Sequence, residues 1–413
     1  MHACFQYPAM MVPKMQGELI HTIIGASPQI KSLYEPFIGS GTVLTEAMQQ
    51  GLNLRGQDIN PLSILLCRAK SGPFYADSAN ERTKDLLARL QADRSTKLEA
   101  DFTGLKKWFR DDVAIALSKI RRAIRVERYL WCRRFFWLAL AETVRQTSNS
   151  RTTTYKLHIR TPEDIQRRDR SPLEIFETIL SKNLERLTEK RNILQKKGLL
   201  KKGKYIGEIQ VSLKDTATPD ENNSTGSFDI LVTSPPYGDN RTTISYGQHS
   251  YLPLQWIDLK DIDQSLDQEW LESSYEIDRR SLGGSLRRSI IRESEALLDV
   301  SFAFRQIIAD LQNEPEDRRH RVAAFFRDIN RCIDPVLAQL KSDAYMVWTV
   351  GNRNVAGRTI PMNEILADLL IAKGSQMVVK FDRTIPSKRM AILAGGYDTI
   401  GAETILVMRN KAA

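Results

Sequence analysis

The chain has 413 residues, 42% hydrophobic and 27% charged, an ordinary globular composition too long for one typical core, so two domains or one elaborated domain are expected. Four cysteines (Cys4, Cys67, Cys132, Cys332) stand without CxxC pairing and the five histidines without ligand spacing, which argues against a disulfide framework or a zinc site and suits a reducing cytosol. No stretch approaches the roughly 18 apolar residues of a membrane span, and the N-terminus lacks a basic region followed by an apolar one, so a cytoplasmic protein is expected.

The net charge is +10, and its distribution matters more than its size. Residues 104–170 hold 17 Lys/Arg against 7 Asp/Glu, an excess of 17 − 7 = 10 that equals the excess of the whole chain. A basic block interleaved with aromatics is the footprint of a polyanion-binding surface, although a solvated helix face has the same composition.

Residues 7–24 begin as a proline-punctuated loop and become an apolar helix. A short strand, Ser32 to Glu35, then runs into a Gly-Ser-Gly turn (Gly39, Ser40, Gly41), and helical spacing follows to a stop at Gly51. Strand, glycine turn and helix open a nucleotide-binding βαβ unit, in which backbone approaches a ligand closely and the helix N-terminus favours an anion. The turn is not GxGxxG. It is shorter and preceded by an acid, which suits a ligand carrying an amino group better than a pyrophosphate. The second strand, LRGQDIN, ends in Asp58, where a carboxylate can accept hydrogen bonds from two ribose hydroxyls.

Residues 78–200 change character to periodic helices, an insertion where a third strand is expected. A hydroxyl- and base-rich loop at 147–158 interrupts them and suits phosphate contacts. The α/β pattern resumes with a strand at 205–215 ending in Asp215. A polar stretch, 216–227, leads into an apolar run that stops at Thr233-Ser234-Pro235-Pro236-Tyr237. Two prolines cannot continue a sheet ladder, so the chain leaves the sheet at its carboxyl edge, where open α/β sheets bind ligands. Residues 238–257 read as a loop crowded with hydroxyls and aromatics, and 258–320 as an irregular, charged insertion, a candidate lid or DNA contact. An amphipathic helix over 321–341, a strand over 344–350, a helix over 363–372 and a terminal antiparallel hairpin with its turn at 394–398 complete the chain.

EPFIGSGT at 35–42 and TSPPYG at 233–238, with YPAMMVPK and QDINP flanking, resemble the DNA amino-methyltransferases, which move a methyl group from S-adenosylmethionine to an exocyclic base nitrogen. The loop RQTSNSRTTTYKLH also looks like a segment of the cytosine-N4 branch. The resemblance implies an α/β, Rossmann-like seven-stranded sheet of order 3-2-1-4-5-7-6, formed by 1–77 and 201–413, with 78–200 as a helical DNA-reading insertion between strands 2 and 3.

The resemblance also implies roles. Glu35 would face the cofactor's amino group. Pro36, Phe37, Gly39, Ser40, Gly41 and Thr42 would cradle its methionine portion, with Thr233 on the adjoining strand. Lys14 and the backbone at Tyr7 would bind its carboxylate, Asp58 its ribose, Ile59 and Asp215 its adenine. Ser234 and Pro235 would present acceptors to the target amine, Pro236 would complete the catalytic turn, and Tyr237 would stack on a base flipped out of duplex DNA. Arg145, Asn149, Arg151, Lys156, Arg160 and Arg241 are candidate DNA contacts.

No metal is called for. Serine at position 234 goes mainly with cytosine N4, and aspartate or asparagine there with adenine N6. Adenine-N6 methylation, an RNA base-amine methyltransferase and a catalytically silent DNA-binding protein are the alternatives. A paired restriction endonuclease is a family-level expectation.

Overall fold

The computed structural model describes residues 4–8, 10–219, 226–286, 289–384 and 401–411. Helix α1 (Pro13–Ala26) leads to β1 (Ser32–Glu35), α2 (Thr42–Gln49), β2 (Asn53–Asp58) and α3 (Pro61–Lys70). Four long helices follow: α4 (Ala76–Ala92), α5 (Asp111–Arg125), α6 (Leu130–Thr147) and α7 (Pro172–Lys196). Then come β3 (Ile209–Leu213), β4 (Phe228–Thr233), α8 (Tyr246–Trp256), α9 (Glu316–Gln339), β5 (Leu340–Val350), α10 (Met362–Ala372), β6 (Gln376–Thr384) and β7 (Ala402–Arg409).

The seven strands make one sheet of order β6-β7-β5-β4-β1-β2-β3, the expected 3-2-1-4-5-7-6 read from its other edge. Strands β3, β2, β1, β4 and β5 are parallel, whereas β7 runs against both β5 and β6. Because β7 is reversed, its first residues lie at the edge where the parallel strands end: Thr404 pairs with Val350. The expected hairpin of β6 and β7 is present, while its turn at 394–398 lies outside the described residues.

Successive residues of the central strands point to opposite faces, and both faces are covered, so the strands are apolar throughout. Leu33, Ile230, Val232 and Val347 enter one core with α1, α2, α3 and the insertion helices. Tyr34, Leu231, Met346 and Trp348 enter a second with α9, α10 and residues of 290–311. The insertion shares the first core. Helix α6 is apolar nearly all round, with Phe136, Trp137, Leu138 and Leu140 at 0% exposure, which is the pattern of a helix enclosed by others.

Two loop expectations are corrected. Residues 238–257 contain α8, whose Gly247–Trp256 stretch is buried despite Pro253 within the helix. Residues 258–320 are a chain of short helices, with Ile290, Leu297, Phe304 and Ile307 buried in the second core, rather than a free irregular lid. Among the described residues no helix is long and apolar enough to cross a membrane.

Candidate active site

Glu35 is the last residue of β1 and is fully buried. Its Oε1 accepts from the Phe37 N–H (3.1 Å) and from the Thr233 hydroxyl at the end of β4. Its Oε2 is buried with no hydrogen-bond partner among the described residues. Burial pushes the carboxyl up to about 8 against those two bonds, and the Asp58 charge pushes the same way. A buried carboxylate oxygen without a partner is costly and marks a place for a donor. A primary ammonium fits it.

The turn behind Glu35 takes positive φ at Gly39 (47°) and Gly41 (72°), where a side chain is strained. A Cβ on Gly41 would also come within 2.9 Å of the Cys67 Sγ. The Gly39 N–H donates to Asp58 Oδ2 (2.9 Å) and the Asn60 N–H to Asp58 Oδ1 (2.8 Å), tying the tips of β1 and β2 together. Burial raises the Asp58 carboxyl to about 6, with the backbone bonds opposing. Ser40 and Thr42 share a hydroxyl contact of 3.1 Å at the start of α2. Ile59 is half-buried beside Asp58.

Asp215 is exposed just beyond β3, accepting from the Ala217 N–H (2.9 Å). The adjacent Thr216 hydroxyl donates to the Pro36 carbonyl (2.6 Å), which holds the β3 and β1 loops at one edge. Tyr7 is buried, its hydroxyl 2.7 Å from the Ser63 hydroxyl and accepting from Asn60 Nδ2 (3.3 Å).

One residue is not brought in. Lys14 lies on α1 with its side chain 87% exposed, 3.9 Å from Glu18, an i,i+4 pair on the solvent side. The cation beside the glycine turn is instead Lys70 of α3, 1% exposed, whose Nζ donates to the Ser40 carbonyl (2.6 Å). Burial lowers its ammonium below the usual lysine range. Lys70 escaped the sequence reading, and its signal was a lysine set in the apolar run PLSILLCRAK.

After β4 the chain turns as anticipated. Pro235 is buried and Pro236 half-buried, and the Ser234 hydroxyl donates to the Tyr237 hydroxyl (3.2 Å). That hydroxyl donates in turn to Glu403 Oε1 (3.0 Å) at the start of β7.

The DNA candidates separate into two groups. Arg145 is 13% exposed and spans Glu142 and Gln6, and Asn149 is buried with its Nδ2 on the Lys107 carbonyl (3.0 Å). Both are structural, which corrects their assignment as surface contacts. Arg160 is half-buried, its N–H on the Asn149 carbonyl and its Nε enclosed without a partner among the described residues. Arg151 and Arg241 are exposed. Lys156 Nζ donates to the Arg241 carbonyl (3.0 Å), so the insertion loop meets the loop that follows Ser-Pro-Pro-Tyr.

Part of the rest of the basic block is paired within the protein. Arg133 grips Asp261 with both Nε and Nη2 (2.7 Å each), Arg122 binds Asp93 and Glu99, and Arg110 binds Asp112.

A family model described as D12 class N6 adenine-specific DNA methyltransferase matches residues 17–240. The Type II methyltransferase M.MvaI of Kocuria varians is 31% identical over 426 residues, covering 99% of this chain and 91% of that relative. The chain belongs to the SAM-dependent DNA methyltransferases. Among solved structures, the rRNA methyltransferase aviRa of Streptomyces viridochromogenes aligns with 98% of this chain and 87% of its own, at 10% identity and a TM-score of 0.33, too loose a likeness to bear on function. S-adenosylmethionine is the methyl donor, and the orphaned Glu35 oxygen fits its ammonium group. The family model's description names adenine N6, which differs from the cytosine N4 expected from the serine at position 234.

Proposed function

We propose that this DNA methyltransferase methylates the exocyclic amine of a base flipped from duplex DNA, with cytosine N4 as the target. The observation that carries the reading is the Thr233–Glu35 hydrogen bond. It joins the acid that would hold the cofactor's ammonium to the residue just before the Ser-Pro-Pro-Tyr turn, so donor and acceptor share one edge of the sheet.

An exocyclic amine is a poor nucleophile because its lone pair is delocalised into the ring. The Ser234 and Pro235 carbonyls and the Ser234 oxygen accept its protons and localise the pair. Since Pro235 is buried, those acceptors are rigidly presented. The cofactor supplies an activated methyl group on its sulfonium. Asp58 holds the ribose, Ile59 and Asp215 the adenine, and the turn from Gly39 to Thr42 the methionine portion. Positioning and charge relief then drive in-line transfer.

DNA is read by the 78–200 insertion, with Arg151, Lys156 and Arg241 on phosphates near the flipped base. Metal takes no part in this scheme. A second reading, adenine N6, is favoured by the family-model match to 17–240. The name of the relative from Kocuria varians suggests a place beside a restriction nuclease. The test is to incubate unmethylated plasmid DNA with the protein and labelled cofactor and identify the modified nucleoside by mass spectrometry. N4-methylcytosine supports the first reading, and N6-methyladenine replaces it with the second. Incorporation into ribosomal RNA alone, or none at all, overturns both.

A further inference from the structure

Glu403 stands outside every motif of the chain, yet it ends a chain of hydrogen bonds that begins at the catalytic turn. The Ser234 hydroxyl donates to Tyr237 (3.2 Å), Tyr237 donates to Glu403 Oε1 (3.0 Å), and Arg383 Nη1 donates to Glu403 Oε2 (2.9 Å). Arg383 and Glu403 are directly opposed across β6 and β7, so the sheet's own register holds the carboxylate in place. Only a strand that runs against its neighbours can offer its second residue to the carboxyl edge of the sheet. The side chains of Glu403 and Arg383 are 15% and 24% exposed, sheltered but within reach of water.

The direction of donation is the decisive detail. Each O–H donates towards Glu403, which leaves the Ser234 oxygen free to accept a further hydrogen bond, its electron density enriched by the carboxylate at the end of the series. Hydrogen bonds in series polarise one another in this sense. The Tyr237 phenol, buried beside Glu403, is held well above the usual tyrosine range and therefore stays protonated, able to accept and to donate at once. The charged and titratable groups facing Glu403 are Arg383, Tyr237 and, through the Thr404 hydroxyl, Asp382 of β6, with Tyr246 of α8 acting on the Tyr237 phenol from behind.

We propose that Glu403, fixed by Arg383, is a positioning residue for Ser234 and Tyr237 and the end point for the proton released on methylation. The amine nitrogen forms its bond to the methyl carbon while the methyl–sulfur bond breaks, its electron pair remaining on sulfur. The nitrogen, now positively charged, gives an N–H proton to the Ser234 oxygen. The serine proton passes to the Tyr237 oxygen and the tyrosine proton to the Glu403 carboxylate. The base ends neutral and methylated, the cofactor as a thioether, and Glu403 as a carboxylic acid that returns its proton to solvent. The proposal rests on the reading that Ser234 faces the target amine.

The test compares Glu403→Gln, Ser234→Ala and Tyr237→Phe in the full chain, using unmethylated genomic DNA and tritiated S-adenosylmethionine, over a pH series. Glutamine preserves the shape and the bond from Tyr237 and removes the proton acceptor. The expected result is a fall in kcat of about 100-fold for Glu403→Gln, at the low end of general-base effects. KM for cofactor and DNA should stay within about twofold, the acid limb of the pH–rate profile should disappear, and combining the change with Tyr237→Phe should add nothing. Arg383→Lys should restore most of the rate that Arg383→Gln loses. If Ser234→Ala slows transfer while Glu403→Gln keeps both rate and pH profile, the relay is overturned and the site reading stands. If Ser234→Ala is also without effect, both fall.

Discussion

The helical insertion and the carboxyl edge of the sheet are both dense in polar groups, mainly cationic in the first and acidic or hydroxylic in the second. In the insertion several arginines find internal acidic partners: Arg133 on Asp261, Arg122 on Asp93 and Glu99, Arg145 on Glu142. At the sheet edge Glu35 keeps a buried oxygen with no hydrogen-bond partner among the described residues. Charge that is already paired contributes stability and uniqueness of packing, whereas a buried polar atom left over is a place prepared for a ligand. The excess of charge in the sequence therefore includes arginines that are engaged inside the protein, which composition alone does not separate from exposed ones such as Arg151.

The largest expected effect breaks this comparison at Glu35. Glu35→Gln should weaken S-adenosylmethionine binding by about 100-fold, as loss of a buried charge-assisted bond costs roughly 2–3 kcal/mol. The acid is raised to about 8 in the free protein, so below that pH it is protonated and must lose a proton to meet an ammonium. Affinity in the natural protein should rise from pH 6 towards 8, level off where the cofactor's own amino group titrates, and release a proton measurable by calorimetry in buffers of different ionisation heat. Stability runs the other way. The folded state holds more protons than the unfolded one between the ordinary glutamate value and about 8, so this residue lowers stability as pH rises through that window, and Glu35→Gln should flatten the melting temperature against pH.

Next in size is the insertion's internal pairing. Arg133→Ala leaves the Asp261 carboxylate, among the described residues, with the Trp137 indole as its hydrogen-bond donor, while Arg134 holds the Asp261 backbone carbonyl, and should cost about 2 kcal/mol in denaturant unfolding. It should leave the salt dependence of DNA binding unchanged. The double change Arg151→Ala and Arg241→Ala should do the reverse, with stability intact, DNA affinity down about tenfold and the slope of log K against log salt reduced by about 2. If the Arg133 variant shifted that slope and the double variant did not, the division between paired and available charge would be wrong. The smallest effect is expected at Lys14→Ala. An exposed i,i+4 pair is worth a few tenths of a kcal/mol, and cofactor affinity should stay within about twofold. A tenfold loss would return Lys14 to the cofactor site.

Much of the sheet was legible because each strand announced its own end. Glu35 precedes glycines, Asp58 precedes Asn-Pro at a helix start, and Thr233 precedes two prolines. α8 was missed because Pro253 and a run of hydroxyls and aromatics look like loop; burial of its whole length by α6 and the neighbouring segments overrides that local preference.

What the sequence by itself determined is local: where strands stop, where backbone must take a left-handed turn, and which acids and hydroxyls stand at those stops. Such features depend on residues adjacent in the chain. Only the tertiary structure decided which charges are spent and which remain, since Arg133 and Asp261 lie 128 residues apart and Tyr237 and Glu403 lie 166 apart. Those distances close only when the sheet assembles, and the reversed direction of β7 is what brings Glu403 to the edge that carries the Ser-Pro-Pro-Tyr turn.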